Sequence, residues 1–315
     1  MYICPLVTGF QKPWTEIFLL HLFNYTIRPL NNKENITQWT EVIEPKRSLF
    51  DVNIKEIWHY RDLILLFVRR DFVSQYKQTI LGPIWLFIQP LFTTVTFLFV
   101  FNKIAKISTD GINPTLFYLS GITMWNYFAD CLTKTSNTFL SNAGVFGKVY
   151  FPRLVTPISI VISSLIKLSI QLLLLASVYL FFFSTGEQTF SINATIVLLP
   201  IYLLIMAVLG FGIGIILSSL TTKYRDLSYL LTFGVQLLMY ATPVIYPLNS
   251  TAGRLRKIIE LNPTTSIIEN FRYSVFSQGE FRLEGMIYAA LFSLGIVFIG
   301  ILFFNQVEKS FMDTV

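Results

Sequence analysis

The sequence predicts an all-α polytopic membrane protein, because the chain is too apolar to fold as an ordinary soluble domain. Hydrophobic residues make up 53% of its 315 residues and charged residues only 13%, and the mean hydropathy is +0.59. Soluble domains carry about 25% charged residues. Most of this surface therefore needs lipid as its solvent, and the length leaves room for about six spans of ~20 residues.

Six apolar segments each have the length of a membrane-spanning helix. They are 83–102, 115–133, 157–183, 194–217, 227–248 and 285–304, and the second is the least hydrophobic of them. Hydrocarbon offers no hydrogen-bond partner to backbone N–H and C=O groups, so apolar runs of this length predict six transmembrane helices rather than a barrel.

Basic residues in the short loops predict the orientation. They are Arg69, Arg70 and Lys77 before the first segment, Lys134, Lys148 and Arg153 between the second and third, and Lys223 and Arg225 between the fourth and fifth. Such loops are typical of the cytoplasmic side, and an even number of spans places both termini there. The net charge of +6 is thus explained by membrane orientation, and no nucleic-acid partner is predicted. Lys103, Lys106 and the basic residues of 249–284 fall on the predicted outer side.

An amphipathic helix is predicted before the first span, over residues 54–81. Its apolar residues recur every fourth position and are Ile64, Val68, Phe72, Tyr76 and Ile80. This spacing favours a helix that lies in the membrane interface. Two roles remain open for it, a surface anchor and a docking site for a cytoplasmic partner.

The segment before the last span contains two apolar pieces that are too short to cross. They are 252–261 and 266–276, separated by Asn262 and Pro263, and a Ser266 to Glu269 capping-box spacing predicts the start of the second piece. The pattern is compatible with helices that dip into the outer leaflet and with a hairpin that lies on its surface.

Catalytic and metal-binding patterns are not found in the sequence. The segment 144–148 (GVFGK) lacks the spacing of a phosphate-binding loop, His21 and His59 have no partners at catalytic spacing, and Cys4 and Cys131 are far apart. We therefore predict no catalytic residue, no metal site and no ATP hydrolysis by this chain.

Polar residues and glycines inside the predicted spans indicate contacts between helices. Gly210 and Gly214 predict close helix packing. Lys167, with Gln171 one turn later, indicates either a polar conduit or an ion pair inside the bundle. Asp130 and Lys134 have the spacing of a pair along one helix.

Aromatic residues, 16% of the chain, are frequent in spans one, two and five. They fit packing or an interface belt, and they also fit a path for sugars, whose apolar faces stack on rings. The candidate path residues are Trp85, Phe87, Phe92, Tyr118, Trp125, Tyr127, Phe128, Phe233, Tyr240 and Tyr246.

Nine motifs, in order along the chain, carry a resemblance to a known family. They are 40–46 (TEVIEPK), 60–66 (YRDLILL), 69–82 (RRDFVSQYKQTILG), 83–90 (PIWLFIQP), 141–154 (SNAGVFGKVYFPRL), 224–227 (YRDL), 241–247 (ATPVIYP), 262–271 (NPTTSIIENF) and 307–315 (VEKSFMDTV). Through them the chain resembles the ABC-2 type permeases that export O-antigen and related lipid-linked polysaccharides, with teichoic-acid exporters as close relatives. Residues 1–39 have no counterpart in the resemblance and are expected to be an interfacial or disordered extension.

The resemblance implies a homodimer with a channel at its interface in the bacterial cytoplasmic (inner) membrane. Two copies of a separate ATPase, which bind ATP and Mg, would drive a polyprenyl-linked polysaccharide, most simply O-antigen, through this channel. The resemblance also divides the chain into an interface region, 40–82, and a transmembrane domain, 83–315, with an outer gate segment, 249–284. Capsule or teichoic acid, a small lipid or a drug are alternative substrates, and an ion channel is a further alternative.

The resemblance also assigns residues to two regions. Those implied to contact the ATPase are Arg69, Arg70, Asp71, Tyr76, Lys77, Asn142, Phe146, Lys148, Tyr150, Phe151 and Arg153. Those implied to form the gate are Arg256, Asn262, Pro263, Glu269, Phe271 and Arg272. On this interpretation, Phe151→Asp or Arg153→Glu would uncouple transport from ATP hydrolysis and leave folding intact.

Overall fold

The structure, a computed structural model, describes residues 54–77, 79–189 and 191–314, with side chains through residue 307. Their regular structure is helical. The helices are α1 (Ile54–His59), α2 (Arg61–Tyr76), α3 (Trp85–Phe97), α4 (Pro114–Ser136), α5 (Thr138–Phe146), α6 (Val155–Ser184), α7 (Leu199–Lys223), α8 (Leu227–Tyr240), α9 (Gly253–Glu260), α10 (Pro263–Phe276) and α11 (Leu283–Thr314). The predicted extension 1–39 and residues 40–53 of the interface region lie outside the described residues.

Among the described residues, four helical segments are long and apolar enough to cross a membrane. They are Gly82–Ile104, Val155–Ser184, Ala194–Lys223 and Leu283–Val307. They coincide with the first, third, fourth and sixth predicted segments. The first is not a uniform α-helix, because a 3-10 turn precedes α3 and a π-helix, Leu98–Ile104, follows it.

Helix α4 coincides with the second predicted segment and lies at the centre of the bundle. It packs against α3, α6, α7, α8 and α10, and most of its 23 residues are buried. Neighbouring helices rather than lipid surround it, so it tolerates serine and threonine whose hydroxyls bond to helix carbonyls, as Ser120 does to Phe117. Its lower hydropathy follows from this position.

The predicted fifth span, 227–248, is wrong in its extent, because α8 has 14 residues and ends at Tyr240. Turns follow, from Ala241 to Tyr246. Pro243 disfavours helical geometry at Thr242, and both Pro243 and Pro247 lack the N–H that a continuing helix would need.

The two short pieces before the last span are helices, α9 and α10. The predicted capping box at Ser266 is wrong, because α10 begins one turn earlier. The Asn262 side chain accepts a hydrogen bond from the Thr264 N–H (3.1 Å), and Pro263 occupies the first turn. Both residue types suit these positions, since asparagine caps exposed N–H groups and proline has none to satisfy.

The segment predicted to be an interface helix is helical, but the helix is broken at Tyr60 and ends at Tyr76. Ile64 and Val68 are buried, and α2 packs on α6. Ile80 is fully exposed. The apolar stripe predicted to continue through residue 81 therefore stops at α2's end.

The bundle has two distinct ends. The basic end contains α2, α5, the start of α6 and the end of α7, where Thr221 donates to the Ser136 carbonyl (2.7 Å). The hairpin end contains α9, α10 and the segment between α6 and α7. Here Ser191 donates to the Phe276 carbonyl (2.7 Å).

Glycines of α7 allow close helix contacts, as the sequence predicted for Gly210 and Gly214. A Cβ at Gly210 would lie 2.7 Å from the Cβ of Cys131, and one at Gly214 would lie 2.6 Å from the Cβ of Thr135. Both neighbours are on α4. On the opposite face of α7, a Cβ at Gly212 would lie 2.8 Å from Val297 of α11. Helix α7 is thus held between α4 and α11 at backbone distance.

We expect Gly214→Val to destabilise the chain by about 1–3 kcal/mol, because the new side chain must push α4 and α7 apart. Thermal unfolding of the purified chain in detergent measures the effect. Gly234→Ala is the matched control, since nothing lies within 4 Å of a Cβ there. A Gly214→Val protein as stable as the control would contradict the packing described.

Candidate functional site

The residues predicted to contact an ATPase all lie at the basic end, but at different depths. Asn142, Phe146 and Phe151 are buried, Asp71, Tyr76 and Arg153 are partly buried, and Arg69, Arg70, Lys77, Lys148 and Tyr150 are exposed. The exposed set lies on α2 and on the turn between α5 and α6. Both segments are therefore accessible at the surface of this end.

An aromatic cluster fixes that surface to the bundle. The ring of Phe151 lies 5.6 Å from Phe67 of α2 and 5.7 Å from Phe146 of α5. Arg70 lies over the Phe67 ring, at 4.5 Å, and donates to the Asn142 amide oxygen (3.1 Å). Helices α2 and α5 therefore form one unit.

Phe151 is only 5% exposed, so it belongs to the core of this unit. The expectation that Phe151→Asp leaves folding intact does not hold, because the substitution would bury a carboxylate among aromatic rings.

Charged residues inside the bundle pair between helices. Lys167 of α6 lies 2.8 Å from Asp130 of α4, and Lys134 lies 3.9 Å from the same carboxylate. Of the two roles left open for Lys167, the structure supports pairing.

Burial, and secondarily the charge of Asp130, raises the pKa of Tyr76 to about 12. Its hydroxyl is therefore neutral at physiological pH.

The candidate path aromatics divide into two groups. Those of α3 and α8 are on the surface of this chain, with Phe92 71% and Phe233 58% exposed. Trp85, Phe87 and Tyr240 are also exposed, and Tyr246 is partly buried. Those of α4 pack in the core and are Tyr118, Trp125, Tyr127 and Phe128. Within one subunit, only the first group can meet a molecule outside the bundle.

Arg272 of α10 connects the hairpin end to the centre of the bundle. Its guanidinium donates to the backbone carbonyls of Pro243 (2.5 Å), Val244 (2.9 Å) and Phe117 (3.2 Å), and it lies 3.7 Å from the centre of the Phe117 ring. Glu269 accepts a further bond, at 3.4 Å. The side chain is only 2% exposed, so one buried cation joins α10, α4 and the turn after α8.

Gly121 completes this site and was not singled out from the sequence. A Cβ at Gly121 would overlap the Arg272 guanidinium and would lie 3.0 Å from the Val244 carbonyl oxygen. The available signal was a glycine inside a predicted span, which marks close approach of another group. The partner could not be deduced, because it lies 151 positions further along the sequence.

The other predicted gate residues support the same region. Asn262 donates to the Thr242 hydroxyl (2.9 Å), and Phe271 and Pro263 are buried. Arg256 donates to Glu260 (3.0 Å), which also accepts from Arg282. The hydrogen bond from Arg282, with a smaller contribution from Arg256, lowers the pKa of Glu260.

Comparison with known proteins identifies the family. The model of the family described as ABC-2 type transporter matches residues 62–276. The chain belongs to the ABC-2 type transporter family. This ABC-2 chain is 28% identical over 254 residues to the O-antigen export system permease protein RfbA of Klebsiella pneumoniae, covering 80% of this chain and 94% of that protein.

Two further relatives are more distant. The O-antigen export system permease protein RfbA of Myxococcus xanthus is 22% identical over 266 residues, with 83% of this ABC-2 chain and 98% of that protein covered. The polysialic acid transport protein KpsM of Escherichia coli is 23% identical over 250 residues, with 78% and 93% covered. The similarity therefore extends over nearly the whole length of each relative.

Removal of the Arg272 side chain should be strongly destabilising, since it leaves the buried Glu269 carboxylate without its cation and the Pro243 and Val244 carbonyls without their side-chain donor. We expect Arg272→Leu to cost about 3–5 kcal/mol and Arg272→Lys to cost less, as measured by chemical unfolding in detergent micelles. Arg254→Leu, at an exposed position of α9, is the control and should stay within about 0.5 kcal/mol of wild type. Equal stability of Arg272→Leu and the control would refute the role of this cation.

The Glu260 bridge predicts a pH dependence. The folded-state pKa of Glu260 is lowered, so its stabilisation is present above the unfolded-state pKa and is lost as pH falls through the folded-state value. Glu260→Gln should therefore unfold at a lower temperature than wild type at pH 7, and the difference should shrink once pH falls below the unfolded-state pKa of a glutamate, about 4.3. Glu284→Gln, exposed at the start of α11, is the control. A difference that stays constant with pH would contradict this assignment.

Proposed function

We propose that this chain is the membrane-spanning permease subunit of an exporter for lipid-linked surface polysaccharide, with O-antigen as the first candidate substrate. The observation that carries the proposal is the nearly full-length similarity to two permeases named for O-antigen export. A shared domain alone would leave part of each relative unmatched. Here 94% and 98% of those proteins are covered, so nearly the whole of each relative has a counterpart in this chain.

In this proposal six helices cross the inner membrane. Helix α4 is 23 residues long, enough for the ~30 Å hydrocarbon layer. Helix α8 has 14 residues and crosses together with the turns that follow it. Helices α9 and α10 are too short to cross and are assigned to the outer leaflet as re-entrant helices. The basic end faces the cytoplasm, since its loops carry the lysines and arginines of the positive-inside pattern.

The exposed aromatic surface of α3 and α8 supports a homodimer with a path between its two copies. Phe92 and Phe233 are among the most exposed large side chains of these helices. Aromatic rings can stack on the apolar faces of sugars without requiring one hydrogen-bond pattern. We therefore assign this surface to the glycan path and leave the buried aromatics of α4 out of it.

The basic end is assigned to the coupling of transport with ATP hydrolysis. The chain has no phosphate-binding loop of its own, so ATP and Mg are assigned to two copies of a partner ATPase. Lys148 and Tyr150 are exposed beside the buried cluster around Phe151. Movement of an ATPase bound there would be transmitted through this cluster to α2 and α6.

A capsular polysaccharide is the second candidate substrate. The similarity to a protein named for polysialic acid transport favours it, although the identity of 23% there is below the 28% with an O-antigen permease. Teichoic acid, a small lipid or a drug are further alternatives. An ion channel would need a filter or ring of charges, and Lys167 is already paired with Asp130.

The test is co-purification of the chain with its candidate ATPase, followed by ATPase assays with polyprenyl-linked O-antigen, polyprenyl-linked capsular glycan or no glycan. A stable complex whose hydrolysis rises with one glycan would support export and identify the substrate. A chain that purifies without the ATPase and conducts ions in bilayers without nucleotide would exclude the exporter and support a channel.

Lys148→Glu should weaken the complex at least tenfold, because it reverses a charge on the proposed contact surface. Quantitative pull-down with the ATPase measures the loss. Lys257→Glu, an exposed lysine of α9 at the other end, is the matched control and should bind like wild type. If both substitutions weaken the complex equally, or if neither weakens it, the ATPase contact lies elsewhere.

A further inference from the structure

A polar cavity lies inside the subunit at the basic end. Its volume is about 600 Å³, and residues of α2, α4, α5 and α6 line it. Ser74, Gln75 and Ser141 on its rim are exposed, so the cavity opens to the surface. It is separate from the exposed aromatic surface assigned to the glycan path, since none of those aromatics lines it.

The charges around this cavity do not balance. Arg70, Lys134 and Lys167 line it together with one carboxylate, Asp71. Asp71 pairs with Arg70 at 2.8 Å, and the adjacent Asp130 pairs closely with Lys167 at 2.8 Å and more distantly with Lys134, at 3.9 Å. Three cations thus meet two carboxylates, and the excess of one positive charge lies at Lys134.

An unsatisfied hydrogen-bonding group points to the same place. Ser163 lines the cavity, and its hydroxyl, buried behind the cavity wall, has no hydrogen-bond partner among the described residues. Buried polar groups are normally paired. Ser163 precedes Lys167 by four positions on α6, so both side chains lie on one face of the helix. The cavity therefore combines cations with an unpaired hydroxyl, a combination that suits an anion.

The depth of the cavity indicates which anion. A hydrocarbon layer of ~30 Å takes about 20 helical residues. Counted from the hairpin end, this length reaches Lys134 on α4, which begins at Pro114. On α6, which ends at Ser184, it reaches the stretch between Ser163 and Lys167. Two helices independently place the cavity at the level of the lipid phosphates.

Helix α2 strengthens this placement. Its apolar side chains Leu65, Leu66 and Val73 are exposed, as expected for a helix that lies on the membrane interface. Because α2 forms one wall of the cavity, a lipid that reaches the cavity enters between α2 and the bundle.

We infer that the cavity binds the phosphate headgroup of an anionic membrane lipid, with Lys134 and Lys167 as its donors and with the Ser163 hydroxyl joining them once its side chain rotates towards the cavity. The single excess charge matches a phosphodiester with one negative charge, such as phosphatidylglycerol. A polyprenyl pyrophosphate offers the same phosphate chemistry and is the other possible source. The bound phosphate joins α4 and α6 beneath α2 and so stabilises the position of the interface helix.

Lipid retention by the full-length chain tests this inference. The chain is reconstituted in phosphatidylcholine nanodiscs with phosphatidylglycerol, with undecaprenyl pyrophosphate or with neither, and native mass spectrometry counts the lipid that remains bound after release into detergent. We expect one anionic lipid per chain. Retention of phosphatidylglycerol identifies a bilayer lipid as the source, and selective retention of undecaprenyl pyrophosphate identifies the carrier.

Two substitutions separate the cavity from other lipid contacts. Ser163→Asp supplies a fixed carboxylate one turn from Lys167, and Lys134→Gln removes the excess charge, so each should lower retention at least tenfold. Lys223→Gln, a lysine of the same end that does not line the cavity, is the control. Thermal unfolding checks that each variant is folded. A third substitution, Ser163→Ala, adds no charge and should still lower lipid retention about threefold. Retention that is unchanged in Ser163→Asp and Lys134→Gln would overturn the inference, whether or not the chain exports polysaccharide.

Discussion

The contact between α4 and α7 is the constraint on which the rest of the described structure depends. Gly210 and Gly214 bring the two backbones together, and α11 packs on the opposite face of α7 at Gly212. In a membrane there is little hydrophobic driving force between helices, so close packing of small residues supplies much of the association. Once α7 is fixed, α4 is enclosed on most sides and its polar residues are removed from lipid. This is why a helix with modest hydropathy can occupy the centre of a membrane protein.

The two ends of the bundle use different chemistry to attach their peripheral helices. At the hairpin end, the buried Arg272 guanidinium binds the Pro243 and Val244 carbonyls, which lie in the turn after α8, and also the Phe117 carbonyl of α4. At the basic end, edge-on and tilted ring contacts around Phe151 hold α2 and α5 to the bundle. The first arrangement is directional and depends on a few atoms, whereas the second depends on packed apolar area. A polar cavity remains beneath α2, where Lys167 pairs with Asp130 and Lys134 carries the excess charge.

These arrangements suit the proposed division of labour in an exporter. A surface that binds an ATPase must transmit movement, and the aromatic cluster links the exposed turn at Lys148 to α2 and α6. In the proposed exporter, the exposed aromatics of α3 and α8 would supply a surface for a second copy and for sugars. In the placement inferred above, the cavity lies at the level of lipid phosphates and apart from the proposed glycan path, so an anionic lipid bound there would act on the interface helix rather than on the glycan.

The sequence by itself determined the membrane class, the positions of the apolar segments and the family motifs, because hydropathy and short motifs are local properties of the chain. It also predicted the close packing at Gly210 and Gly214. Only the tertiary structure decided that Arg272 meets Phe117 and Val244, that Asp130 pairs mainly with Lys167 rather than with Lys134, and that Phe151 is core. Each of these depends on which distant segment packs alongside, and composition carries no record of that. The early end of α8 and the capping of α10 by Asn262 were predicted wrongly for a related reason. Apolar character continues past Tyr240, but proline geometry and side-chain capping set where a helix ends or begins.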